Sequence, residues 1–510
     1  MITKIFLNQT LILILNFFKF CINLKKNFKN FKSKKKSSKK KSLVFEFYFS
    51  DMFMVALFLL LGYINRDKYN IIFFFYSKNF IKKNIIYFTT NFFLKKLENY
   101  IDIKLINTYS RKKGNNSIAE KIYRKIKKKD DIYKINYKGI IIGKYIYQSY
   151  CRDYLEYTVN LGDKRLKRKI EDAINIFDNV NILFRKSKVE SLFLSHTVFS
   201  KYGIVASLAK KYKSKIYIFY KLKNNRFKIL KIAKNLVQGP DYKNFKNYFR
   251  QQKDKRYLIN YSKKALRSLM FGKPDLIFRK KGRSSFNKNK EFELSNDKRK
   301  KIIILPSCFF DALSFFEKSL FVDNYTWLKH LLTKSKLTNF DWYIKPHPDG
   351  MSSNNRVYKK ILKDFPHVKL LNKDISNRTF LKNKFVAMFT FQSNAVLEFT
   401  YMGIPTVMVS DNYHSKFSYG KPVLNLNQFN KKIINADRLK VKNEHFKEIH
   451  EFNSINLKYR YKKIYFTDLF KVSPKKKISL FSNYEDSKIL FKKNFLSKNQ
   501  KKIEKFFNQI

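Results

Sequence analysis

The chain has 510 residues, of which 44% are hydrophobic, so it is long enough to form two or three domains with ordinary cores. Lysine and arginine total 109 against 38 aspartates and glutamates, which gives a formal net charge of +71. The three cysteines, Cys21, Cys151 and Cys308, lie too far apart to form a disulfide framework or a metal cluster. Their scarcity is typical of a reducing cytoplasm.

The positive charge has two interpretations. It can serve a polyanionic partner, either a nucleic acid or an anionic membrane surface. It can also reflect a compositional bias toward Lys, Asn, Ile, Phe and Tyr, with only 12 Gly and 9 Pro, as an A/T-rich genome would produce. The lysines are spread over every segment, which favours the bias. No ribonucleoprotein, zinc-finger or helix-turn-helix pattern indicates a specific nucleic-acid partner.

The first 41 residues differ from the rest of the chain. Residues 1–24 are apolar but interrupted by polar side chains, whereas a membrane-spanning helix needs about 20 mostly apolar residues. Residues 25–41 are rich in lysine and serine. An apolar helix followed by a polybasic segment is typical of an anchor that lies on an anionic membrane surface, and we expect residues 1–41 to act as one. The alternative is a disordered or mis-started N-terminus.

From residue 42 onward, apolar runs of strand length alternate with helical patterns. This alternation predicts a parallel sheet with right-handed crossovers, and we assign residues 42–278 to an N-terminal Rossmann-like domain. Its predicted strands cover 43–49, 71–76, 191–194 and 216–220, and its predicted helices cover 52–65, 171–186 and 201–212.

A polar, charged stretch at 279–300 predicts a linker, after which the alternation restarts. We assign residues 301–420 to a second Rossmann-like domain and residues 421–510 to a basic, mostly helical C-terminal extension. The predicted strands cover 302–305, 341–345, 368–371, 385–389 and 406–409, and the predicted helices cover 324–336 (capped by Asp323), 354–363, 377–383 and 393–402.

His347 lies in the sequence WYIKPHPDG at 342–350. Pro346 ends the predicted strand, and Pro348 keeps the backbone extended beyond the histidine. The pattern therefore predicts a rigid turn that presents an imidazole at the carboxyl end of a strand, where open α/β sheets bind ligands. The alternative is a proline-rich turn with an exposed histidine of no special role.

A second pattern, TFQSNAVLE at 390–398, follows a predicted strand and opens a predicted helix. Backbone N–H groups at a helix N-terminus bind phosphate well, and Ser393 and Asn394 would be the first residues of this helix. Glu398 lies one turn further on the same face, where a carboxylate can accept both hydroxyls of a ribose. The alternatives are an ordinary N-cap for Ser393 and a solvated helical residue for Glu398.

Together these motifs resemble the capsule polysaccharide biosynthesis family of bacterial glycosyltransferases. The resemblance covers about residues 43–420 and is specific in the second domain. It rests on KPHP at 345–348, TFQSNA at 390–395 with Glu398 and GIP at 403–405, YHSKFSYG at 413–420, ILPSCFFDA at 304–312 and FVDNYTW at 321–327. Looser similarities lie at 139–152 and 195–203.

The resemblance implies a GT-B architecture, in which two Rossmann-like domains face a cleft and the C-terminal one binds a nucleotide-sugar. It places His347 near the nucleotide phosphate or base, Ser393 on phosphate and Glu398 on ribose. The implied donor is CMP- or UDP-linked; CMP-Kdo is one example. The pair Ser393-Asn394 departs from the family's paired serines, which leaves the donor open. The predicted donor-binding set is Lys345, His347, Gln392, Ser393, Asn394 and Glu398.

Glycosyl transfer requires that the leaving phosphate be neutralised and the acceptor hydroxyl be deprotonated. Ser393, Lys345 and a protonated His347 could meet the first requirement, and no Asp-x-Asp triplet indicates a metal. We therefore expect neither a metal nor a cofactor. For the base, His196 after the strand 191–194 is the first candidate and Asp311 the second, although His196 could equally be structural.

The sequence thus predicts a glycosyltransferase of surface polysaccharide biosynthesis that uses a glycan or lipid-linked acceptor. We expect it in the cytoplasm, peripheral on the inner face of the membrane. Two alternatives stay open. One is a phosphotransferase of the teichoic-acid type that uses a CDP-linked polyol, and the other is a non-enzymatic polyanion-binding protein.

Overall fold

A computed structural model describes most of the chain between residues 41 and 461. The described ranges are 41–47, 68–76, 103–221, 227–231, 244–271, 299–312, 318–348 and 350–461, with isolated positions at 58, 61–62, 65, 236 and 285–286. The predictions made for residues 1–40, for most of the helix at 52–65, for nearly all of the linker at 279–300 and for residues 462–510 lie outside these ranges. Within them, no helix combines the length and apolarity needed to cross a membrane.

The first sheet has six strands in the spatial order β3-β2-β1-β6-β7-β8. Five of them are parallel, and β8, which the sequence analysis did not predict, adds an antiparallel edge. The strands are β1 (Ser42–Glu46), β2 (Asn70–Phe75), β3 (Ile103–Asn107), β6 (Val189–Leu194), β7 (Lys215–Lys221) and β8 (Phe227–Lys231), and a separate hairpin joins β4 (Asn136–Tyr137) to β5 (Ile140–Ile141).

The α-helices whose full bounds are described beside this sheet are α1 (Asn115–Arg124), α2 (Lys129–Tyr133), α3 (Gly143–Tyr154), α4 (Lys164–Lys186) and α5 (Ile204–Lys211). The 23-residue α4 is the largest of them and buries an apolar stripe that includes Ile170, Ile174 and Phe177. It begins seven residues before the predicted start at 171, because Asp163 caps it by accepting a hydrogen bond from the Arg165 amide.

The second sheet has five parallel strands in the order β11-β10-β9-β12-β13. These are β9 (Lys301–Leu305), β10 (Asp341–Ile344), β11 (Val368–Leu370), β12 (Phe385–Thr390) and β13 (Thr406–Met408). The helices of this unit are α8 (Asn324–Ser335), α9 (Asn354–Leu362), α10 (Arg378–Lys382), α11 (Ala395–Tyr401), α12 (Leu426–Ile434) and α13 (Asn443–Tyr461).

The predicted fold class is confirmed: the chain is a GT-B-like α/β protein with two Rossmann-like sheets and helices at its C-terminal side. In each sheet the chain builds outward from a central strand and then returns to that strand's other side. The reversal falls between β1 and β6 in the first sheet and between β9 and β12 in the second. Such switch points open a crevice at the carboxyl ends of the strands, where open α/β sheets bind ligands.

Two helices lie within the range 42–278 that we assigned to the N-terminal domain but pack on the second sheet. They are α6 (Phe245–Arg250) and α7 (Lys255–Met270), whose residues Phe249 and Leu266 lie in one buried cluster with β9, β12 and α13. Lys246 forms an ion pair with Glu448 of α13. The assignment of all of 42–278 to one unit therefore does not follow the packing, because the apolar faces of α6 and α7 are buried against the second sheet.

The described part of the C-terminal extension is likewise integral to the second unit. Phe429 and Ile433 of α12 are fully buried beneath α8 and β12. On the opposite face of the sheet, Ile449 and Phe452 of α13 complete the core. A boundary at residue 420 therefore cuts through a continuous hydrophobic core.

We predict that Phe245→Ala destabilises the protein by about 3–5 kcal/mol, since a buried phenyl ring would be replaced by a cavity. Tyr257→Ala is the matched control, because Tyr257 is on the neighbouring helix and is 67% exposed. Urea unfolding of the full chain measures both. Equal stability of the two variants would contradict the packing of α6 on the second sheet.

Candidate functional site

The carboxyl edge of the second sheet is closed by hydrogen bonds between loops. At the switch point, the Ser307 hydroxyl after β9 donates to the carbonyl of Gln392 after β12 at 2.6 Å. The side-chain amide of Asn412, after β13, donates to the carbonyl of Ser393 at 2.9 Å. Three loops that are distant in sequence therefore form one connected rim.

The predicted turn around His347 joins this rim. The side chain of His347 is exposed, and its carbonyl accepts a hydrogen bond from the Gly350 amide at 2.9 Å. Asn354 at the start of α9 connects the turn to the loop after β9, because its side-chain oxygen accepts from the Phe309 amide at 3.2 Å. The structure thus presents His347 at the carboxyl end of β10, as the sequence predicts.

Lys345 lies below this rim. Its side chain is 3% exposed, and its ammonium donates to the side-chain oxygen of Asn377 at 2.8 Å. The contact ties the end of β10 to the segment before α10. Sequence reasoning placed Lys345 on the donor phosphate, whereas the structure engages its charge in the interior.

Ser393 and Asn394 precede α11 and do not form its first turn. The Ser393 hydroxyl accepts a hydrogen bond from the Ala395 amide at 3.1 Å, which closes a local turn just before the helix. Asn394 is exposed, and Glu398, one turn into the helix, is 8% exposed. Since α11 has only seven residues, its dipole contributes little, and the hydroxyl and amide groups before it matter more.

His414 is a structural residue of this site that sequence reasoning missed. It is 2% exposed, and its ring nitrogens contact the Tyr419 hydroxyl at 2.9 Å and the Asn394 side-chain oxygen at 3.2 Å. It therefore orients Asn394 on the rim. The signal in the sequence was the glycine at the end of the motif at 413–420. The structure explains that glycine, because a Cβ on Gly420 would lie 2.4 Å from the Cβ of His414.

The first unit contributes a hydrogen-bonded chain at its own switch point. Glu46 ends β1, and Ser195 and His196 directly follow the neighbouring strand β6. The Ser195 amide and hydroxyl each donate to Oε2 of Glu46 at 2.7 Å, and Oγ of Ser195 lies 2.7 Å from Nδ1 of His196. Glu46 was not singled out from the sequence.

Burial shifts the two titratable ends of this chain in opposite directions. It raises the pKa of Glu46 to about 7, although hydrogen bonds from Ser195 oppose the shift. It lowers the pKa of His196 to about 4, with help from the positive charges of Lys201 and Arg152. At neutral pH the imidazole is therefore neutral, as a general base must be.

His196 opens into a cavity of about 200 Å³ in the first unit. The backbone beside it is strained, because Phe199 has a φ of 60° and its amide is held by the Gln148 side chain at 3.0 Å. The other lining residues are Tyr76, Ser149, Arg152, Asp153, Lys169, Asp172, Ser200, Lys201 and Tyr202.

The two units meet close to these residues. Asp311 is exposed on the loop after β9. Its negative charge partly opposes the downward shift in the pKa of His196. Arg152 donates to the sulfur of Met351 at 3.0 Å. A second cavity, of about 790 Å³, lies between the hairpin of the first unit and residues 319–322 of the second. Arg152, which lines the cavity beside the candidate base, thus contacts the second unit.

Asp323 holds this contact between the units. One carboxylate oxygen caps α8 by accepting from the Thr326 amide at 2.6 Å. The other accepts the hydroxyl of Thr158 at 2.5 Å and also that of Tyr147, both from the first unit.

Among the described residues, no group of three or more His, Cys, Asp or Glu side chains is arranged to hold a metal ion. Metal independence stays a prediction.

Glu46 generates a prediction about stability and pH. Because its folded pKa lies above the ordinary 4.5, the folded state binds more protons between pH 4.5 and about 7. Its contribution to stability therefore falls as the pH rises through that window. Relative to the wild type, Glu46→Gln should gain roughly 3 kcal/mol in free energy of unfolding across it.

The comparison must be made as a difference between the variant and the wild type, because His196 has the opposite slope. Its folded pKa lies below 6.5, so its own contribution rises with pH. Urea unfolding at several pH values gives the difference. Glu190→Gln, which removes a surface carboxylate from the far end of β6, should show no such gain. If the difference in free energy of unfolding between Glu46→Gln and the wild type does not change with pH, Glu46 ionises in the folded protein as it does in the unfolded chain.

Comparisons with known proteins give fold-level likenesses only. No family model matches the chain, and no curated protein matches it. A solved structure of KpsC, a β-Kdo 2,4 transferase of Thermosulfurimonas dismutans, is similar at 11% identity over 52% of this chain and 79% of that one, with a TM-score of 0.36. S. aureus MnaA with UDP matches at 11% identity over 83% and 98%, with a TM-score of 0.25. A glycosyltransferase of Rickettsia africae ESF-5 matches at 12% over 92% and 99%, with a TM-score of 0.24. At these values the likenesses identify neither a family nor an activity.

Proposed function

We propose that this protein is a glycosyltransferase of surface polysaccharide biosynthesis. It binds a nucleotide-sugar at the carboxyl edge of the second sheet and transfers the sugar to a hydroxyl held by the first unit. The acceptor is a glycan or a lipid-linked molecule. The choice of surface polysaccharide rests on the motif resemblance at 345–348, 390–398 and 413–420.

One observation carries the proposal. The candidate donor contacts and the candidate base come from the carboxyl edges of two different sheets, and Arg152, which lines the cavity beside His196, contacts Met351 of the second unit at 3.0 Å. A reaction between two bound substrates requires such a juxtaposition, because each must be held with its reacting atom near the other's. A binding module for polyanions has no need of it.

On the donor side, the rim offers uncharged hydroxyl and amide groups beside one exposed imidazole. In this proposal His347 and Ser393 contact the phosphate that gains charge as the glycosidic bond breaks, and Gln392 and Asn394 lie beside Ser393 in the chain. Glu398, further along α11, would accept the ribose hydroxyls. Lys345 is left out of this set, because its ammonium is buried against Asn377.

On the acceptor side, His196 would take the proton of the attacking hydroxyl. The cavity beside it contains Arg152 and Lys201, so it also favours an acceptor with anionic groups. The net charge of +71 would favour work at an anionic membrane surface, in keeping with the anchor predicted for residues 1–41.

Thermal unfolding with a panel of nucleotide-sugars tests the proposal. A ligand at one hundred times its Kd stabilises the folded state by about 2.7 kcal/mol, which shifts the melting temperature measurably. We expect a CMP- or UDP-linked sugar to give the shift. A shift with CDP-linked polyols alone would support the phosphotransferase, and no shift with any of the compounds would contradict a donor site.

The site variants should then divide by role. His347→Ala and Ser393→Ala should lower kcat by about 10²–10³, because they remove contacts to charge that develops in the transition state. Glu398→Ala should raise the KM for the donor with little change in kcat, since ribose does not change during the reaction. Steady-state kinetics at saturating acceptor measure both effects.

His367→Ala is the matched control, because this exposed histidine precedes β11 and so lies at the opposite edge of the same sheet. Each variant is first compared with the wild type in melting temperature. A normal kcat for His347→Ala would show that residues 345–348 form a turn without a catalytic role. An unchanged donor KM for Glu398→Ala would contradict the proposed contact with ribose.

A further inference from the structure

The carboxyl group of Glu46 occupies a position that a core residue would normally fill. It is 2% exposed, at the end of a strand whose preceding residues, Val44 and Phe45, are fully buried. Burying a carboxylate costs free energy unless specific donors compensate it. Two of the donors come from Ser195, directly after the neighbouring strand β6 across the switch point. The group is therefore tied to the residue that precedes His196.

The hydrogen bonds fix the direction of this chain when Glu46 is ionised. The Ser195 hydroxyl has one hydrogen, which it donates to the carboxylate at 2.7 Å. Its oxygen must then accept from His196, 2.7 Å away, so the imidazole carries its proton on Nδ1. This tautomer leaves the lone pair on Nε2, the atom that acts as a base.

The same geometry admits a second state when Glu46 is protonated. The carboxylic acid then donates to the Ser195 oxygen, and the Ser195 hydroxyl donates to Nδ1 of His196. The imidazole is again neutral, but its proton is on Nε2. The two states differ by one proton, which enters at Nε2 and ends on Glu46.

We propose that Glu46 is the final acceptor of the proton that His196 removes from the acceptor hydroxyl, and that Ser195 relays it. The inference rests on the proposed function. As the acceptor oxygen attacks the anomeric carbon and the bond to the donor phosphate breaks, the acceptor O–H bond breaks and Nε2–H forms. The Nδ1 proton passes to Ser195 Oγ, and the former Ser195 proton passes to Glu46. The imidazole ends neutral and Glu46 ends protonated.

The surroundings favour a proton on the carboxylate over one on the ring. Among the described residues that shift the pKa of His196, Lys201 and Arg152 act with positive charge and Asp311 opposes them. Burial and these cations hold the pKa of His196 near 4, whereas burial holds that of Glu46 near 7. A relay to Glu46 therefore avoids a buried imidazolium.

The other charged groups at the cavity are accounted for. Lys169 forms ion pairs with both Asp153 and Asp172. Tyr76 also lines the cavity, and burial raises its pKa well above the ordinary value, so it stays protonated. Besides Ser195, Glu46 is influenced by Lys201 and accepts a hydrogen bond from the hydroxyl of Tyr202. Of Glu46, His196 and Tyr76, Glu46 is thus the group whose pKa lies near neutrality.

The tautomer of His196 can be measured without any substrate. The full chain, labelled with ¹⁵N in its seven histidines, gives two-bond nitrogen–proton spectra that distinguish Nδ1–H from Nε2–H, and His196→Gln assigns the signal. We expect Nδ1–H above and Nε2–H below a midpoint near pH 7. Glu46→Gln and Ser195→Ala should each show a single tautomer across the range, and Glu190→Gln should behave as the wild type.

A tautomer that does not change with pH in the wild type, or that still changes in both Glu46→Gln and Ser195→Ala, overturns the relay. Since the relay is tested by two separate substitutions, one variant that fails to fold does not remove the test.

Transfer kinetics separate the relay from the function it serves. We expect kcat of the wild type to fall below about pH 7 as Glu46 becomes protonated. Glu46→Gln should lower kcat at pH 8 by about 10²-fold or more and abolish this acid limb, with the donor KM unchanged. Transfer with an unaltered acid limb in Glu46→Gln would reject the relay alone. A pH-dependent tautomer in a protein that transfers no sugar would reject the proposed function and leave the proton chain standing.

Discussion

The contact made by Asp323 is the one on which the arrangement of both units depends. Its buried carboxylate caps α8 of the second unit and accepts the hydroxyls of Tyr147 and Thr158 of the first. A buried charge is tolerated only when its oxygens are satisfied, so the cap and the contact between units stabilise each other. Moving either unit would leave a carboxylate oxygen of Asp323 without a donor. This contact therefore restricts the orientation of the two carboxyl edges relative to each other.

The topology decides which residues can meet across that contact. Because β1 and β6 are neighbours, residues 46 and 195 lie side by side although 149 positions separate them. Because β9 and β12 are neighbours, the loops at 306–312 and 391–394 share a rim. In both sheets candidate site residues, His196 in the first and Ser393 in the second, follow a strand at the reversal of strand order, where no crossover covers the carboxyl ends.

Periodicity in the sequence was sufficient for the parallel strands other than β3, which was not predicted. It was also sufficient for the placement of His347, His196 and Ser393 at strand ends, since each follows a short apolar run. It could not reveal that α6 and α7 pack on the second sheet, because amphipathic helices do not specify their partner. It also missed the burial of Lys345 and the role of Glu46. The lone carboxylate within the apolar run LVFEF at 43–47 was the available signal for Glu46.

Glu46 is difficult to explain as a purely structural residue. An apolar side chain of similar size would fill the end of β1 without the cost of ionisation, which the raised pKa places at roughly 3 kcal/mol at neutral pH. Groups that lower stability persist where chemistry requires them, and such groups cluster at active sites. The strained backbone at Phe199 lies in the same crevice. Two local departures from stability beside one cavity favour selection for reaction chemistry there over selection for the fold alone.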